Sequence, residues 1–309
     1  MGKLVDGEWV VESIVPAKNS GQYDRPPRTF LETIDKNHDI YKPESSRYHL
    51  YVSLACPWAT RTLIYRELKN LENHIGVSIV HPDMLDDGWK FDDSFPGSTK
   101  DHLYNKEFLR EIYQIADPNV TTSVTVPVLW DKKTKTIVNN ESAQIIRIFN
   151  KEFNDLTGNK NDYYPKEKQE KINQINELIY ENINNGVYKS GFASSQSAYD
   201  EAVNLLFNTL DKLEIVLGNS KYLVGESLTE ADIRLIPTLL RFDAVYVTHF
   251  KCNLRRIFDY KNLHRYVNDL LLMPAISNTY KLDHIKRHYY FSHEHINPNR
   301  IIPLGPINL

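Results

Sequence analysis

The segment YHLYVSLACPWA, residues 48–59, joins a short aromatic and β-branched run to a cysteine, a proline and a tryptophan. The run at residues 48–52 is typical of a β-strand. Apolar residues then recur at helical spacing, namely Leu63, Ile64, Leu68 and Leu71. A second β-like run covers residues 77–80. Residues 48–80 therefore predict a strand, a helix and a parallel strand joined by a right-handed crossover.

The same pattern continues after a long acidic and aromatic stretch at about residues 83–119, which we interpret as an insertion. Residues 124–130 (VTVPVLW) and residues 137–138 predict two antiparallel strands joined by a Lys-rich turn. Residues 139–142 then open a helix whose apolar face is formed by Ile145, Ile146 and Phe149. The order β-α-β and then β-β-α, with a cysteine at the first strand-to-helix turn, predicts a thioredoxin-like α/β domain over residues 48–150.

The flanking sequence predicts three further parts. Residues 1–47 are polar and without a sustained period, which predicts an N-terminal arm. Residues 151–165 are rich in Asn, Asp, Lys and Gly, which is typical of a linker. Residues 166–309 have helical periodicity, and Thr229 three residues before Asp232 predicts a capping box. The chain is thus expected to be α/β plus all-α, with a C-terminal helical domain that ends in a tail.

Composition and charge argue against several classes of protein. With 37 Lys and Arg against 40 Asp and Glu, the formal net charge of −3 gives no electrostatic reason to expect a nucleic-acid partner. Two cysteines cannot provide a disulfide framework for 309 residues, which favours a reducing compartment. The first residues lack the pattern of a signal peptide, and no apolar run approaches the roughly 20 residues that a bilayer requires. We expect a cytoplasmic protein with no membrane partner.

Cys56 is the candidate nucleophile. It stands at the predicted helix N-terminus, where the macrodipole and the backbone N–H groups stabilise a thiolate, and Pro57 suits the first helical turn because it has no N–H to leave unpaired. Ala59 occupies the position of a resolving cysteine, so a mixed disulfide on Cys56 must be resolved by an external thiol. A buried structural cysteine is the competing interpretation for Cys56, and Cys252 is expected to be buried or incidental.

Two further features could bind a ligand. Pro127 removes a hydrogen-bond donor from a central strand, and in a thioredoxin-like fold this peptide bond is typically cis, which leaves the Val126 backbone for a ligand's peptide groups. The helix N-terminus at Ser142 suits a carboxylate, and Glu141 suits an ammonium group. Together these two residues match the zwitterionic end of a γ-glutamyl group, and plain helix capping is the alternative.

These motifs resemble those of a known family. CPWA at residues 56–59, Val126-Pro127, NES at residues 140–142 and the capping box at residues 229–232 are similar to those of glutathione transferases. Longer segments narrow the resemblance to the glutathionyl-hydroquinone reductases, also called the Xi class: NNGVYK (184–189), GFA (191–193), RFDAVY (241–246), HFKCN (249–253), KRHYY (286–290) and the tail from residue 296 to residue 306. The resemblance covers nearly the whole chain from about Gly21.

The resemblance implies a glutathione-dependent reductase that removes glutathione from glutathionyl-hydroquinones through a mixed disulfide on Cys56. Glutathione, the co-substrate, would be held by Trp89, Val126, Glu141 and Ser142. Three tyrosines would line the aromatic substrate site and take part in catalysis: Tyr188, Tyr246 and Tyr289. The resemblance also implies a homodimer built through the helical domains and no metal.

Two positions depart from the family pattern. Ser123 stands where the family usually has an arginine that contributes to the glutathione site, and Thr60 stands where a histidine is common. Without compensation, loss of the arginine would weaken the hold on a glutathione carboxylate by about 1.5–3 kcal/mol. This departure bears on affinity more than on the type of reaction.

Three other interpretations remain open at this point. An omega-like thiol transferase or dehydroascorbate reductase would use the same cysteine chemistry. A non-catalytic glutathione-transferase-fold binding module would not require a reactive thiol. A metal site is the third, because His284 and His288 are four residues apart with His293 and His295 near, but no glutamate completes a zincin pattern and a solvated basic face is favoured.

Overall fold

The structure is a computed structural model that describes residues 2–11, 21–23 and 28–307. Residues 1, 12–20 and 24–27 of the predicted arm and residues 308–309 of the predicted tail lie outside the described residues. The chain divides into two compact units. The first comprises Met1–Ile14, Pro26–Asn161 and Asp283–His288, and the second comprises Val15–Arg25, Asp162–Leu282 and Tyr289–Leu309.

The strands of the first unit form a central mixed sheet and smaller peripheral ones. In chain order they are β1 Gly2–Val5, β2 Glu8–Val11, β3 Tyr48–Val52, β4 Gly76–Ile79, β5 Met84–Leu85, β6 Gly88–Trp89, β7 Thr122–Ser123, β8 Val128–Asp131 and β9 Thr136–Asn139. The central sheet has the order β4-β3-β8-β9. Strand β3 runs parallel to β4 and antiparallel to β8, and all five of its residues are buried. The strand that precedes Cys56 is therefore an interior one.

The helices of the chain, in order, are α1 Pro57–Leu68, α2 Leu109–Ala116, α3 Ser142–Lys151, α4 Asn154–Thr157, α5 Gln169–Ile179, α6 Gly186–Gly191, α7 Gln196–Asn219, α8 Glu230–Arg241, α9 Lys261–Leu271, α10 Pro274–Ser277 and α11 Leu282–Ser292. Helix α1 connects β3 to β4 and packs against α3. Its first nine residues are buried, so it has no single apolar stripe. The prediction of a thioredoxin-like domain followed by a helical one is confirmed.

The predicted strand at residues 124–130 is shorter in the structure. Strand β8 begins only at Val128, and Thr122–Ser123 forms β7 in a different sheet. The prediction was wrong here because Pro127 has no N–H to donate, so the ladder of the central sheet starts after it. The Val126–Pro127 peptide bond is cis, as the sequence predicted.

Part of the predicted arm is regular structure. Strands β1 and β2 form a hairpin in which Val5 pairs with Glu8 across a two-residue turn. Asp6 and Gly7 in that turn both have positive φ, 49° and 80°, which is the geometry that Asp-Gly turns favour. A Cβ on Gly7 would lie 1.8 Å from the carbonyl oxygen of Pro118. The Asp-Gly pair was thus a hairpin signal that the sequence analysis missed.

The observed units differ from the predicted domain boundaries in two places. The division falls between Asn161 and Asp162, and α4 occupies part of the predicted linker at residues 151–165. Residues Asp283–His288 of α11 belong to the first unit, although the sequence placed them in the helical domain. Their long-range contacts, which no local pattern encodes, decide this assignment. Within the described residues, no helix is both long and apolar enough to cross a membrane.

In the second unit, a buried carboxylate on α8 accepts hydrogen bonds from the loop that precedes this helix and from α9. Asp232 is fully buried and accepts hydrogen bonds from Leu223 N (2.9 Å), Thr229 N (2.8 Å), Thr229 Oγ1 (2.9 Å) and Tyr266 Oη (2.9 Å). Burial raises the pKa of Asp232, although these hydrogen bonds oppose that shift. The capping box predicted from the sequence is present and also holds the preceding loop and α9.

We expect Asp232→Ala to lower the free energy of unfolding by about 3 kcal/mol or more, because it leaves several buried donors without an acceptor. Asp269→Ala is the matched control, since Asp269 pairs with Arg265 on the exposed face of α9 and such pairs contribute about 0.5 kcal/mol. Urea unfolding followed by circular dichroism measures both. Equal losses in the two variants would contradict the structural role of Asp232.

Candidate active site

Cys56 is fixed by the turn between β3 and α1. Ala55 N donates to Ser53 Oγ (3.2 Å) and Cys56 N donates to Ser53 O (3.2 Å), which closes the turn directly after the buried strand. Cys56 is the N-cap of α1, and Pro57 is its first residue. Thr60 donates to Cys56 O through both its N–H (3.0 Å) and its hydroxyl (2.9 Å). The partly exposed thiol therefore stands at the positive end of a helix on a rigid support.

The Val126 backbone lies beside this thiol. Cys56 Sγ is 3.7 Å from Val126 O. Within the described residues, the Val126 N–H donates to no protein carbonyl. The structure thus brings together two of the residues that the sequence selected, with a backbone edge next to the sulfur.

Glu141 and Ser142 begin α3, as the sequence predicted. Glu141 is the N-cap, and its Oε1 accepts a hydrogen bond from Ala143 N (2.9 Å) and from Ser142 Oγ (3.4 Å). The capping alternative is therefore realised for Glu141. Capping leaves ligand binding possible, because Glu141 remains partly exposed. Binding of a ligand by these residues stays a prediction.

The Tyr113 hydroxyl connects these two backbone segments. It donates to Thr125 O (2.8 Å), accepts from Thr125 N (3.3 Å) and accepts from Asn140 Nδ2 (3.3 Å). Thr125 precedes Val126 and Asn140 precedes Glu141, so one buried phenol holds both candidate binding segments. Sequence analysis missed this residue, since Tyr113 lies in the predicted insertion and nothing in its local pattern distinguishes it.

Trp89 is held by α11. Its ring stacks on that of His288, with the centroids 4.9 Å apart, and His288 Nδ1 is 2.9 Å from Pro82 O. Arg287 donates to both carboxylate oxygens of Asp83, at 2.7 and 2.8 Å. The hydrogen bonds of Arg287 to Asp83 raise the pKa of the guanidinium, so the guanidinium stays charged. Contacts between residues that are 204 and 206 positions apart in the sequence thus fix the segment that carries Trp89.

The three candidate tyrosines meet in the second unit. Tyr289 Oη is 2.6 Å from Tyr188 Oη and 3.0 Å from Tyr246 Oη. Tyr246 and Tyr289 are buried and Tyr188 is partly exposed. Burial, reinforced by the neighbouring tyrosines, raises the pKa of Tyr289 well above its ordinary value, so its hydroxyl stays protonated at neutral pH. Their catalytic role stays a prediction.

The cluster of three tyrosines lies next to irregular helical turns. π-helical turns at Tyr180–Asn184 and Phe242–Tyr246 lie just before Tyr188 and at Tyr246. Such turns concentrate at functional sites because they change the direction in which the next side chains point. Two phenylalanines pack against the tyrosine rings: Phe192 and Phe250. The cluster therefore offers hydroxyl groups within an aromatic surround.

The second cysteine is unlike the first. Cys252 is fully buried, as expected, and burial raises its thiol pKa to about 12. At neutral pH this sulfur stays protonated and out of reach of solvent reagents.

The histidines of the metal hypothesis make other contacts. His284 Nε2 is 2.7 Å from Pro96 O, and His293 Nδ1 is 3.2 Å from His249 Nε2. The part of the chain that the structure describes brings together no group of three or more His, Cys, Asp or Glu side chains that could hold a metal ion.

Comparisons with known proteins match both units. Residues 55–152 match the family model of the glutathione S-transferase N-terminal domain, and residues 196–269 match that of the glutathione S-transferase C-terminal domain. The chain is 53% identical over 313 residues to the glutathionyl-hydroquinone reductase YqjG of Escherichia coli strain K12, with 99% of this chain and 95% of the relative covered.

Solved structures agree with these matches. The glutathione-bound structure of the same Escherichia coli protein superposes with a TM-score of 0.91 at 51% identity, over 100% of this chain and 96% of that one. The crystal structure of the glutathione S-transferase Xi from Phanerochaete chrysosporium gives a TM-score of 0.93 at 52% identity, with 95% of each chain covered. The similarity therefore extends over nearly the whole chain.

The contrast between the two cysteines predicts selective labelling. Iodoacetamide should add one carbamidomethyl group to the native protein at neutral pH, at Cys56, and two after unfolding, because burial protects Cys252. Intact-mass spectrometry followed by peptide mapping measures this. Cys252→Ser should keep the native adduct and Cys56→Ser should lose it. Native labelling at Cys252 would contradict the structure.

Proposed function

This chain belongs to the glutathione S-transferase family, and we propose that it is an Xi-class glutathionyl-hydroquinone reductase with glutathione as its co-substrate. The observation that carries the proposal is Cys56 at the start of α1, with its sulfur 3.7 Å from Val126 O and with Ala59 in place of a resolving cysteine. This arrangement suits a one-cysteine thiol exchange that uses an external thiol.

In the first step, the Cys56 thiolate attacks the glutathione sulfur of a glutathionyl-hydroquinone. A sulfur–sulfur bond forms, the bond between that sulfur and the ring carbon breaks, and the ring carbon takes the electron pair and a proton. The products are hydroquinone and a mixed disulfide of Cys56 with glutathione. The helix N-terminus favours this step because it stabilises negative charge on the attacking sulfur.

In the second step, the thiolate of a second glutathione attacks the mixed disulfide. Glutathione disulfide leaves, and Cys56 is released as a thiolate that can start another cycle. The external thiol is necessary because position 59 is alanine and the Cys252 thiol is buried with a pKa of about 12. The two electrons that reduce the ring carbon therefore come from two glutathione sulfurs.

We assign glutathione to the residues around Cys56. The cysteinyl backbone of the ligand would pair with Val126, and its γ-glutamyl end would bind Glu141 and the N-terminus of α3. Trp89 would lie against the ligand with the orientation that its stack on His288 imposes. The assignment is supported by the Tyr113 hydroxyl, which ties the Val126 and Glu141 segments together.

We assign the aromatic ring of the substrate to Tyr188, Tyr246 and Tyr289. Breaking the carbon–sulfur bond requires a proton at the ring carbon and stabilisation of phenolate charge, and tyrosine hydroxyls can supply both. The high pKa of Tyr289 keeps its hydroxyl protonated as a donor. The linked hydroxyls of the three residues support a shared role rather than three separate ones.

We also propose a cytoplasmic location and a homodimer. The location follows from the second step, since the reaction consumes reduced glutathione and needs a reducing compartment. The dimer is supported by exposed apolar side chains on α7, Leu205 and Ile215, which a second copy could cover. Light scattering of the purified protein measures the oligomeric state.

Cys56→Ser should abolish hydroquinone release and the mass increase of one glutathione on the protein, because a serine hydroxyl cannot form the mixed disulfide. Cys252→Ser should keep both. Liquid chromatography of the products and intact-mass spectrometry are the measurements. Turnover of a glutathionyl-hydroquinone by Cys56→Ser would refute the mechanism. A wild-type preference for glutathionylated peptides or dehydroascorbate would favour the thiol-transferase alternative.

Tyr289→Phe should lower kcat on a glutathionyl-hydroquinone by about 100-fold, because it removes the hydroxyl that links the other two. The rate at which glutathione disulfide modifies Cys56 should not change, since that reaction involves no ring. Tyr290→Phe is the matched control, because the neighbouring buried hydroxyl bonds elsewhere: it donates to Ala244 O (3.1 Å) and also has a hydrogen bond with Thr248. Equal effects of the two substitutions would remove Tyr289 from the mechanism.

A further inference from the structure

Three residues from distant parts of the first unit contact one another pairwise. Phe30 N donates to Asn140 Oδ1 (3.3 Å), and Asn140 N donates to Phe30 O (3.0 Å). Asn140 Nδ2 donates to Tyr113 Oη (3.3 Å), and the rings of Tyr113 and Phe30 meet edge to face with their centroids 6.0 Å apart. We call Phe30, Tyr113 and Asn140 the Tyr113 cluster.

Both segments that we assign to glutathione are attached to this cluster. Tyr113 Oη donates to Thr125 O (2.8 Å) and accepts from Thr125 N (3.3 Å), so one hydroxyl binds both backbone groups of the residue before Val126. Asn140 directly precedes Glu141, the N-cap of α3. A displacement of either segment therefore disturbs the hydrogen bonds that hold the other.

A second set of hydrogen bonds fixes the start of α3. Glu32 N donates to Val138 O (3.0 Å) and Asn139 Nδ2 donates to Glu32 O (2.8 Å), so the chain around residue 32 runs along β9. Asn139 Oδ1 in turn accepts from Glu141 N (2.8 Å). The N-cap is thus held through its own backbone as well as through the Tyr113 cluster.

Burial makes these contacts costly to lose. Tyr113 and Asn140 are 0% and 1% exposed, so water cannot replace a partner that is removed. Loss of the Tyr113 hydroxyl would leave both backbone groups of Thr125 and the Asn140 amide without that partner. Such buried networks hold their members in one arrangement when every member is satisfied.

We propose that Tyr113 and Asn140 are positioning residues that hold the two binding segments, residues 125–126 and residues 140–142, at one fixed spacing. The cysteinyl and γ-glutamyl parts of glutathione then meet subsites that folding has already ordered, which reduces the entropy lost on binding. This inference rests on the proposed function. It adds two residues that determine affinity for glutathione without touching it.

Tyr113→Phe tests the proposal, because it removes the hydroxyl and keeps the ring that packs on Phe30. It should weaken glutathione binding, measured by isothermal titration calorimetry, by about tenfold. On a glutathionyl-hydroquinone, KM should rise by about tenfold and kcat should change by less than about twofold, because the hydroxyl touches no reacting atom. The rate at which iodoacetamide labels Cys56 should not change, since this reagent uses neither subsite.

Tyr48→Phe is the matched control. Tyr48 is another buried tyrosine of the first unit, and its hydroxyl donates to a backbone carbonyl, Lys42 O, at the same distance of 2.8 Å. Its loss should lower stability in urea unfolding but leave glutathione binding unchanged. A role of Tyr113 in stability alone would give the two variants the same affinity for glutathione.

Asn140→Ala breaks the same link from the other side and should also weaken glutathione binding by about tenfold. Because Tyr113 and Asn140 share a hydrogen bond, the double variant should bind glutathione within about threefold of the weaker single variant, whereas independent residues would together cost about hundredfold. Circular dichroism establishes that each variant is folded. Asn140→Ala keeps the proposal testable if Tyr113→Phe does not fold.

The outcomes separate this inference from the function on which it rests. If the wild type binds glutathione and Tyr113→Phe binds it equally well, or no worse than Tyr48→Phe, the positioning role is wrong and the proposed function stands. Losses that multiply in the double variant, or slower labelling of Cys56 in Tyr113→Phe, would also overturn the positioning role. If the wild type binds no glutathione, the proposed function fails and the inference fails with it.

Discussion

The chemistry of this protein depends on how one sulfur atom is held. Cys56 follows an interior strand of the central sheet and caps the helix that comes after it, so its position is set by two elements that packing makes rigid. Ser53 closes the turn before it, and Thr60 binds its carbonyl from the first turn of α1. A thiol placed in this way is partly exposed at the positive end of a helix dipole, which suits a nucleophile better than a packing residue.

The segments that we propose to bind glutathione owe their positions to long-range contacts. The Tyr113 hydroxyl joins the Val126 segment to the start of α3, and α11 fixes the Trp89 segment through an ion pair and a ring stack. Neither set of contacts involves a reacting atom of the proposed mechanism. Each removes freedom from a proposed binding group, and such preorganisation reduces the entropy that binding of a ligand must overcome.

The two units carry different kinds of polar groups. Around Cys56 the available groups are the Val126 backbone edge and the N-terminus of α1, which suit the polar tripeptide that we propose as ligand. In the second unit, tyrosine hydroxyls lie among aromatic rings, and burial keeps the Tyr289 hydroxyl protonated. Hydroxyl donors in an apolar surround stabilise developing phenolate charge more strongly than they would in water.

The sequence by itself determined the structural features that depend on residues close together in the chain. The strand before Cys56, the helix start at Pro57, the N-cap at Glu141 and the box at Thr229 are encoded within a few residues, and the structure confirms each. The Asp6-Gly7 hairpin was encoded in the same way, although the sequence analysis missed it.

Only the tertiary structure decided which distant residues meet. Three pairs illustrate this: Arg287 with Asp83, Tyr289 with Tyr188, and Lys3 of β1 with Ser123 of β7. The residues of each pair are 101 to 204 positions apart in the sequence. A family resemblance could name the tyrosines, but no local pattern could predict their shared hydrogen bonds. The physical reason is that propensity and capping act over one or two turns of chain, whereas these pairs form only when buried surfaces pack together.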